Sequence, residues 1–386
     1  MGVTFGGYNS IGGLEQERAA WREALVDDRI RAYARLLVHR CIGARAGWQV
    51  HVSAQVAARP LVEEVQRQLG EAGAYSILQL SFDTAGGAWT RAAPDELLAT
   101  PSPIFQTIQT DADAFISIVA PENTRDAADV PPERGALIAR SASTLRARIT
   151  AMDCPWVACQ FPTPALAQDA AMTPAAFEDF LFAACLLDWD AEAEGMRRIA
   201  DRFDAASEVR LVGPGTDLLL GVEGRECAID DGHINLPGGE VFLSPLEDAT
   251  EGLVTFSEFP AVYHGHEVGG AWLRFKGGRV VDAGAATNEE FLFAILDTDA
   301  GARVLGELGI GCNPRITRHM KNTLFDEKIA GTVHLALGRS YTVTGGINES
   351  AVHWDIVKDL RAGGELRLDG EVVQRDGSWL LEAVDA

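Results

Sequence analysis

Two imidazoles and a carboxylate stand on period-two apolar patterns near the end of this chain. In Thr332-Val333-His334-Leu335-Ala336-Leu337-Gly338, the residues Thr332, His334 and Ala336 alternate with Val333, Leu335 and Leu337; in Val352-His353-Trp354-Asp355-Ile356, His353 and Asp355 alternate with three apolar residues. Successive side chains of an extended chain point to opposite faces, so each segment predicts a strand with one polar face and one core face. A lone histidine is ordinarily a satisfied structural residue. Two on neighbouring alternating strands, with Asp355 beside one of them, read instead as metal ligands, and a mixed carboxylate and imidazole set suits Zn, Co or Mn.

Other candidates divide sharply. Glu240 follows Pro237-Gly238-Gly239, and Glu307 stands in Leu305-Gly306-Glu307-Leu308-Gly309; taken alone, each is an ordinary exposed carboxylate. Tyr341 taken alone is an ordinary aromatic. Asp326 and Glu327 beside Lys328 read as an ion-paired helix end, with their role open. His264-Gly265-His266-Glu267 looks like a ligand cluster, but a zincin motif needs a histidine three residues after the glutamate and Gly270 stands there, so a solvated strand end is expected. Gly213-Pro214-Gly215-Thr216-Asp217-Leu218 has Leu218 where a dinucleotide loop needs its last glycine, and it reads as a turn. No Gly-x-Ser-x-Gly elbow and no Walker A loop is present.

The motifs occur in a definite order: Asn235-Leu236-Pro237-Gly238-Gly239-Glu240-Val241-Phe242, Gly306-Glu307, Asn322-Thr323-Leu324-Phe325-Asp326-Glu327, His334-Leu335-Ala336-Leu337-Gly338, Tyr341 and His353-Trp354-Asp355. This series, over roughly residues 210 to 356, resembles the aminopeptidase T/AmpS family of metallo-aminopeptidases, peptidase family M29. The resemblance implies metal ligands at Glu240, Glu307, His334, Tyr341, His353 and Asp355, with Glu307 and Tyr341 also catalytic. It further implies two divalent ions (Zn, Co or Mn), a water activated between them, release of N-terminal residues from short peptides, and a homodimer with an enclosed site. The stretch between Tyr341 and His353 is shorter than the family pattern, which bears on substrate preference more than on ligation. The alternative is a mononuclear Fe(II) ring-cleaving dioxygenase of the dihydroxypyridine type, built on two histidines and one carboxylate; Glu307 together with His334 counts against it.

Composition bounds the rest. The chain has 386 residues, 47% hydrophobic and 23% charged, as expected of a soluble globular protein long enough for two domains. A formal charge of −23 argues against nucleic acid, whose phosphates need a basic surface, and against anionic membranes. The longest strongly apolar run, Phe180 to Leu187, falls far short of the roughly 20 residues of a membrane span. Residues Met1 to Gly7 show no basic segment leading into an apolar one, so the cytoplasm is the expected location. The six cysteines are scattered without Cys-x-x-Cys spacing and are expected to be reduced, several of them buried.

The elements that must position these residues follow from periodicity. Apolar runs at Trp48–Val52, Tyr75–Phe82, Ala114–Val119 and Trp156–Phe161 predict strands, and helices are expected over Pro60–Leu69, Gly135–Met152, Thr173–Leu187 and Ala191–Phe203. Alternation of the two predicts an α/β fold with a mainly parallel sheet over residues 1–205. From Glu208 the chain becomes richer in glycine turns and strands. Residues 206–386 are therefore expected to form a strand-rich α/β domain that holds the metal site.

Overall fold

The computed structural model describes residues 27–82, 87–127, 130–151 and 153–380. The opening residues read for a secretory signal, and Met152, lie outside them. Strands Gln49–Gln55, Tyr75–Ser81, Ala114–Val119 and Trp156–Gln160 pair in parallel, with Gln49–Gln55 between Tyr75–Ser81 and Ala114–Val119. Cross-strand register puts Val50, Val52, Ala114, Ile116, Ile118, Val157 and Cys159 on one face, and all of them are buried beneath the helices that cover it. The helix Arg59–Glu71 turns Leu61, Val62, Val65 and Leu69 onto this core, as its spacing predicts. Thr173 caps the helix Pro174–Cys185 through its hydroxyl, which accepts from the Ala176 N–H.

One expected helix is two. The chain over Pro132–Thr150 breaks at Ala142 into Pro132–Ser141 and Ser143–Thr150. The Ser141 hydroxyl donates to the Ile138 carbonyl, competing with the helical ladder at the break.

After residue 205 the topology becomes antiparallel. An eight-stranded sheet runs in the order Arg279–Gly284, Ala271–Lys276, Thr250–Phe256, Thr216–Gly221, Glu208–Gly213, Glu365–Leu368, Glu371–Arg375, Ser378–Trp379. A five-stranded sheet runs His353–Asp359, Thr332–Gly338, Leu305–Gly311, Glu240–Leu243, Ala228–Asp230. The apolar faces of these two sheets share a core that includes Leu211, Leu220, Val254, Leu273, Leu308, Val333, Leu335 and Trp354. The short strand Asn235–Leu236 returns to extend the parallel sheet beside Trp156–Gln160, and Ile316, Met320, Phe325 and Ile329 pack into the first core. The other face of the five-stranded sheet is thereby roofed by the segment around residues 316–329, and it carries the site. No helix among the described residues is long and apolar enough to cross a membrane. All six cysteines are free and four are buried.

Candidate metal centre

Strand register brings the acidic and imidazole groups together. Gly311 lies opposite Glu240, Gly309 opposite His334, and Gly338 opposite His353, while Ala336 pairs with Glu307 on one side and Asp355 on the other. Directly paired residues point to the same face of a sheet. One face therefore carries Glu240, Glu307, His334, His353 and Asp355, interleaved with Gly309, Gly311, Ala336 and Gly338. The small residues make room for the large polar ones. A Cβ added at Gly309 would lie 1.9 Å from His334 Cε1, so the imidazole occupies the space that any other side chain would fill.

The resulting cluster is close and largely buried. His334 Nε2 is 3.2 Å from Glu307 Oε1 and 3.7 Å from Glu240 Oε2, and His353 Nε2 is 3.4 Å from Glu307 Oε2 and 3.6 Å from Asp355 Oδ1. Potential ligand atoms fall into two triplets, Glu240–Glu307–His334 and Glu307–His353–Asp355, each with its atoms within 4.8 Å of one another. Glu307 is common to both. Strand Thr332–Gly338 is buried along its whole length, so the polar face expected from its sequence is an interior surface and not a wetted one.

Second contacts of the histidines fix which nitrogen faces the cluster. His334 Nδ1 is 3.1 Å from the Glu327 carbonyl and His353 Nδ1 is 2.8 Å from the Arg339 carbonyl. A carbonyl can only accept, so each Nδ1 carries the hydrogen and each Nε2 is turned toward the acids, the arrangement of a metal-ligating imidazole. Tyr341 places its hydroxyl 3.4 Å from His353 Nε2, with the ring edge-on to that imidazole, although the residue as a whole is 38% exposed.

The electrostatics are those of charges largely shielded from bulk solvent. Burial by itself favours neutral forms, but the contacts with Glu307 outweigh it and raise His334 to about 10; for His353, Asp355 and Glu307 together raise the imidazole to about 9. Burial pushes Glu307 up, yet its two imidazole partners pull it down to about 2. Glu240 goes the other way: burial outweighs Lys328 and raises it to about 8. Burial and the surrounding carboxylates hold the Tyr341 phenol well above its ordinary value.

These residues fit a cation. Glu240 Oε2 is buried with no hydrogen-bond partner among the described residues, an acceptor left for a positive charge. Carboxylate and imidazole donors in two groups joined by one carboxylate have the composition of a two-ion site. Lys328, which reads in sequence as part of an exposed ion pair, is instead wholly buried. Its ammonium is 3.5 Å from Asp230 and 3.3 Å from Glu240 and also bonds Glu327. Neither Lys328 nor Asp230 carries a distinctive sequence signal; only the Phe-Asp-Glu-Lys run next to an expected ligand strand pointed here.

Other residues singled out in sequence have different places. The Asp326 carboxylate accepts from the Met320 and Asn322 N–H groups at 2.6 and 2.7 Å, capping the loop before it, and burial raises it to about 7. His264 and Gly265 form the turn of the hairpin Ala261–Tyr263/His266–Val268, and Glu267 pairs with Lys321 and Arg125 rather than joining the cluster. Gly213–Thr216 is a tight turn between two paired strands.

The chain is similar to known proteins. The family model described as thermophilic metalloprotease (M29) matches residues 26–379. Aminopeptidase 2 of Geobacillus stearothermophilus is 28% identical over 91% of this chain and 97% of its own length. Aminopeptidase T of Thermus aquaticus is 36% identical over 44% of this chain and 48% of its own length. The structure of wild-type AmpT from Thermus thermophilus superposes with a TM-score of 0.79 at 25% identity, covering 92% of this chain and 99% of that one.

Proposed function

We propose, from the premise that this chain belongs to the thermophilic metalloprotease family (M29) and is a metallo-aminopeptidase, that it releases N-terminal residues from short peptides at a centre for two divalent ions. The observation that carries the two-ion reading is the shared carboxylate: Glu307 belongs to both ligand triplets and turns one oxygen to each histidine. Glu240 and His334 would complete one position, and His353 and Asp355 the other, with Tyr341 at the His353 side. Zn, Co or Mn suits such donors. When bound, a pair of these ions supplies a water acidified toward about pH 7 and a polarised carbonyl.

The chain's own groups then have separable tasks. Glu307 holds the two halves together and is also the first candidate to carry a proton to the leaving amine. The Tyr341 phenol keeps its proton to well above neutrality and can donate to the oxyanion that develops on the substrate carbonyl. Glu240 and Asp355 would supply the negative charge that balances the two ions. A homodimer, on the family resemblance, and a cytoplasmic location complete this proposal. The mononuclear Fe(II) dioxygenase reading is not favoured, because a single three-ligand site leaves the Glu240 triplet without a purpose.

The test is metal counting joined to substrate polarity. Two divalent ions per chain, loss of activity in chelator with recovery on adding a divalent ion, and cleavage of free-amine but not N-acetylated peptides are expected. One iron per chain with oxygen consumption, or full activity after verified metal removal, would overturn the proposal.

A further inference from the structure

The carboxyl ends of strands Ala114–Val119 and Trp156–Gln160 open onto a cavity of about 440 Å³, within the range of small-ligand pockets and at the end of a parallel sheet where ligands commonly bind. The cavity adjoins the metal centre: a much smaller hollow, of about 10 Å³, is lined by Glu327 and Asp355, and Val262 and Thr323 line both spaces.

The wall of the cavity carries two cations. Arg125 and Lys321 line the cavity, and both are paired to one carboxylate, Glu267: Lys321 Nζ at 2.8 Å and Arg125 at 3.6 Å. Arg125 also donates to the Gly265 carbonyl. Two cations share one carboxylate, so Glu267 does not neutralise both, and each side chain keeps about two-fifths of its surface open, at 41% and 39%. Asp169 is the one acid among the described residues lining the cavity.

The backbone is held so as to present these groups. Lys321 has φ of +60° and His264, across the same cavity, +48°, both in the left-handed region that non-glycine residues seldom occupy. On either side of Lys321, the Met320 and Asn322 N–H groups donate to buried Asp326. The Asn322 amide exchanges hydrogen bonds with Gln160 at 2.7 and 3.1 Å, tying the loop to the end of the parallel sheet. Lys321 is thus fixed from both neighbours, a costly conformation for a residue with no task.

We propose that this cavity receives the carboxy-terminal part of the peptide and that Arg125 and Lys321 bind its terminal carboxylate. The proposal rests on the aminopeptidase reading and deepens it: the preferred substrates are short peptides with a free carboxy terminus, running from the metal centre past Val262 and Thr323 to the paired cations. Charge-assisted bonds from an arginine and a lysine to a carboxylate are strong enough to make the preference at least about tenfold.

Calorimetry on chelator-treated full-length protein tests this without hydrolysis. Tri-alanine should bind at least about tenfold tighter than tri-alanine amide, and the ratio should fall to near one in the Arg125→Gln/Lys321→Gln double variant. With the metal-loaded enzyme the same ratio should appear in KM, while hydrolysis of alanine anilide, which has no carboxylate, stays unchanged in the variant. Equal binding of acid and amide to the unsubstituted protein, or a preference that survives the double substitution, overturns the subsite. Failure of the loaded enzyme to cut any free-amine peptide would instead sink the aminopeptidase reading, and the calorimetric ratio would still decide whether the cavity recognises a carboxylate.

Discussion

Glu307 Oε1 lies 3.2 Å from His334 Nε2, and both side chains are almost completely shielded from water, at 5% and 1% exposure. A buried carboxylate this close to an imidazole holds a proton on the ring when no metal is present. Its other oxygen does the same for His353, so this carboxylate ties together two ligand groups that share no other residue.

Replacing Glu307 with Gln keeps the volume and removes the charge that balances two cations. Metal content should fall below two ions per chain, and kcat should drop by at least about two orders of magnitude. Elemental analysis alongside peptidase assays checks both. Retention of two ions with unsubstituted rates would remove Glu307 from the centre.

Metal uptake should release protons. Without metal, His334 and His353 are raised to about 10 and 9 and Glu240 to about 8, so at pH 7 these groups carry protons that ligation must displace. Affinity should climb as pH rises from 7 toward 9 to 10. Stability of the metal-free protein should move oppositely: the raised imidazoles contribute fully below their unfolded value of about 6.5, and that contribution is lost as pH rises through 9 to 10. Calorimetric titration in two buffers of different ionisation heat measures the released protons. A pH-independent affinity would contradict the arrangement.

Lys328 offers a cleaner test of the buried charges than any ligand does. It is wholly buried against Asp230, Glu240 and Glu327. Lys328→Met leaves those acids without their cation, and removing one partner of a buried ion pair costs about 3–5 kcal/mol. Urea denaturation of the metal-free variant should show a loss of that order, with part of it recovered on adding a divalent ion that restores positive charge. A loss under about 1 kcal/mol would mean that the ammonium is not held in a buried ion pair.

Legibility in sequence followed the range of the interaction. The four parallel strands stand within a few residues of where their apolar runs place them, because strand character is local. The ligand strands were legible for a related reason: period two sorts His334, His353 and Asp355 onto one face without knowledge of any partner. What could not be read is what distant segments do together. Lys328 is buried by Asp230 and Glu240, from strands far back in the chain, and beside two acids it looks like a solvated pair. The roof over the His334 face, the return of Asn235–Leu236 to the first sheet and the pairing of Glu267 with Arg125 and Lys321 are likewise set by topology. The break at Ala142 escaped because apolar periodicity does not register a serine hydroxyl bonding back to its own helix.

The glycines of the site give the most discriminating substitution. Gly309 is the cross-strand partner of His334, and a Cβ there would lie 1.9 Å from Cε1 and 2.1 Å from Nε2 of that ring. Gly309 does not adopt a positive φ, so alanine meets no backbone objection and the conflict falls on the imidazole alone. Gly309→Ala should therefore fold, with a stability loss of about 1–3 kcal/mol from overpacking, while His334 is driven from its place and metal affinity falls at least about tenfold. Gly311→Ala serves as the contrast, because its Cβ would lie 2.0 Å from the Ile329 carbonyl oxygen, a backbone atom that cannot rotate away. There the expected damage is to folding. Metal titration and urea denaturation on both variants separate the two effects; if Gly309→Ala binds metal like the unsubstituted chain, His334 is not a ligand.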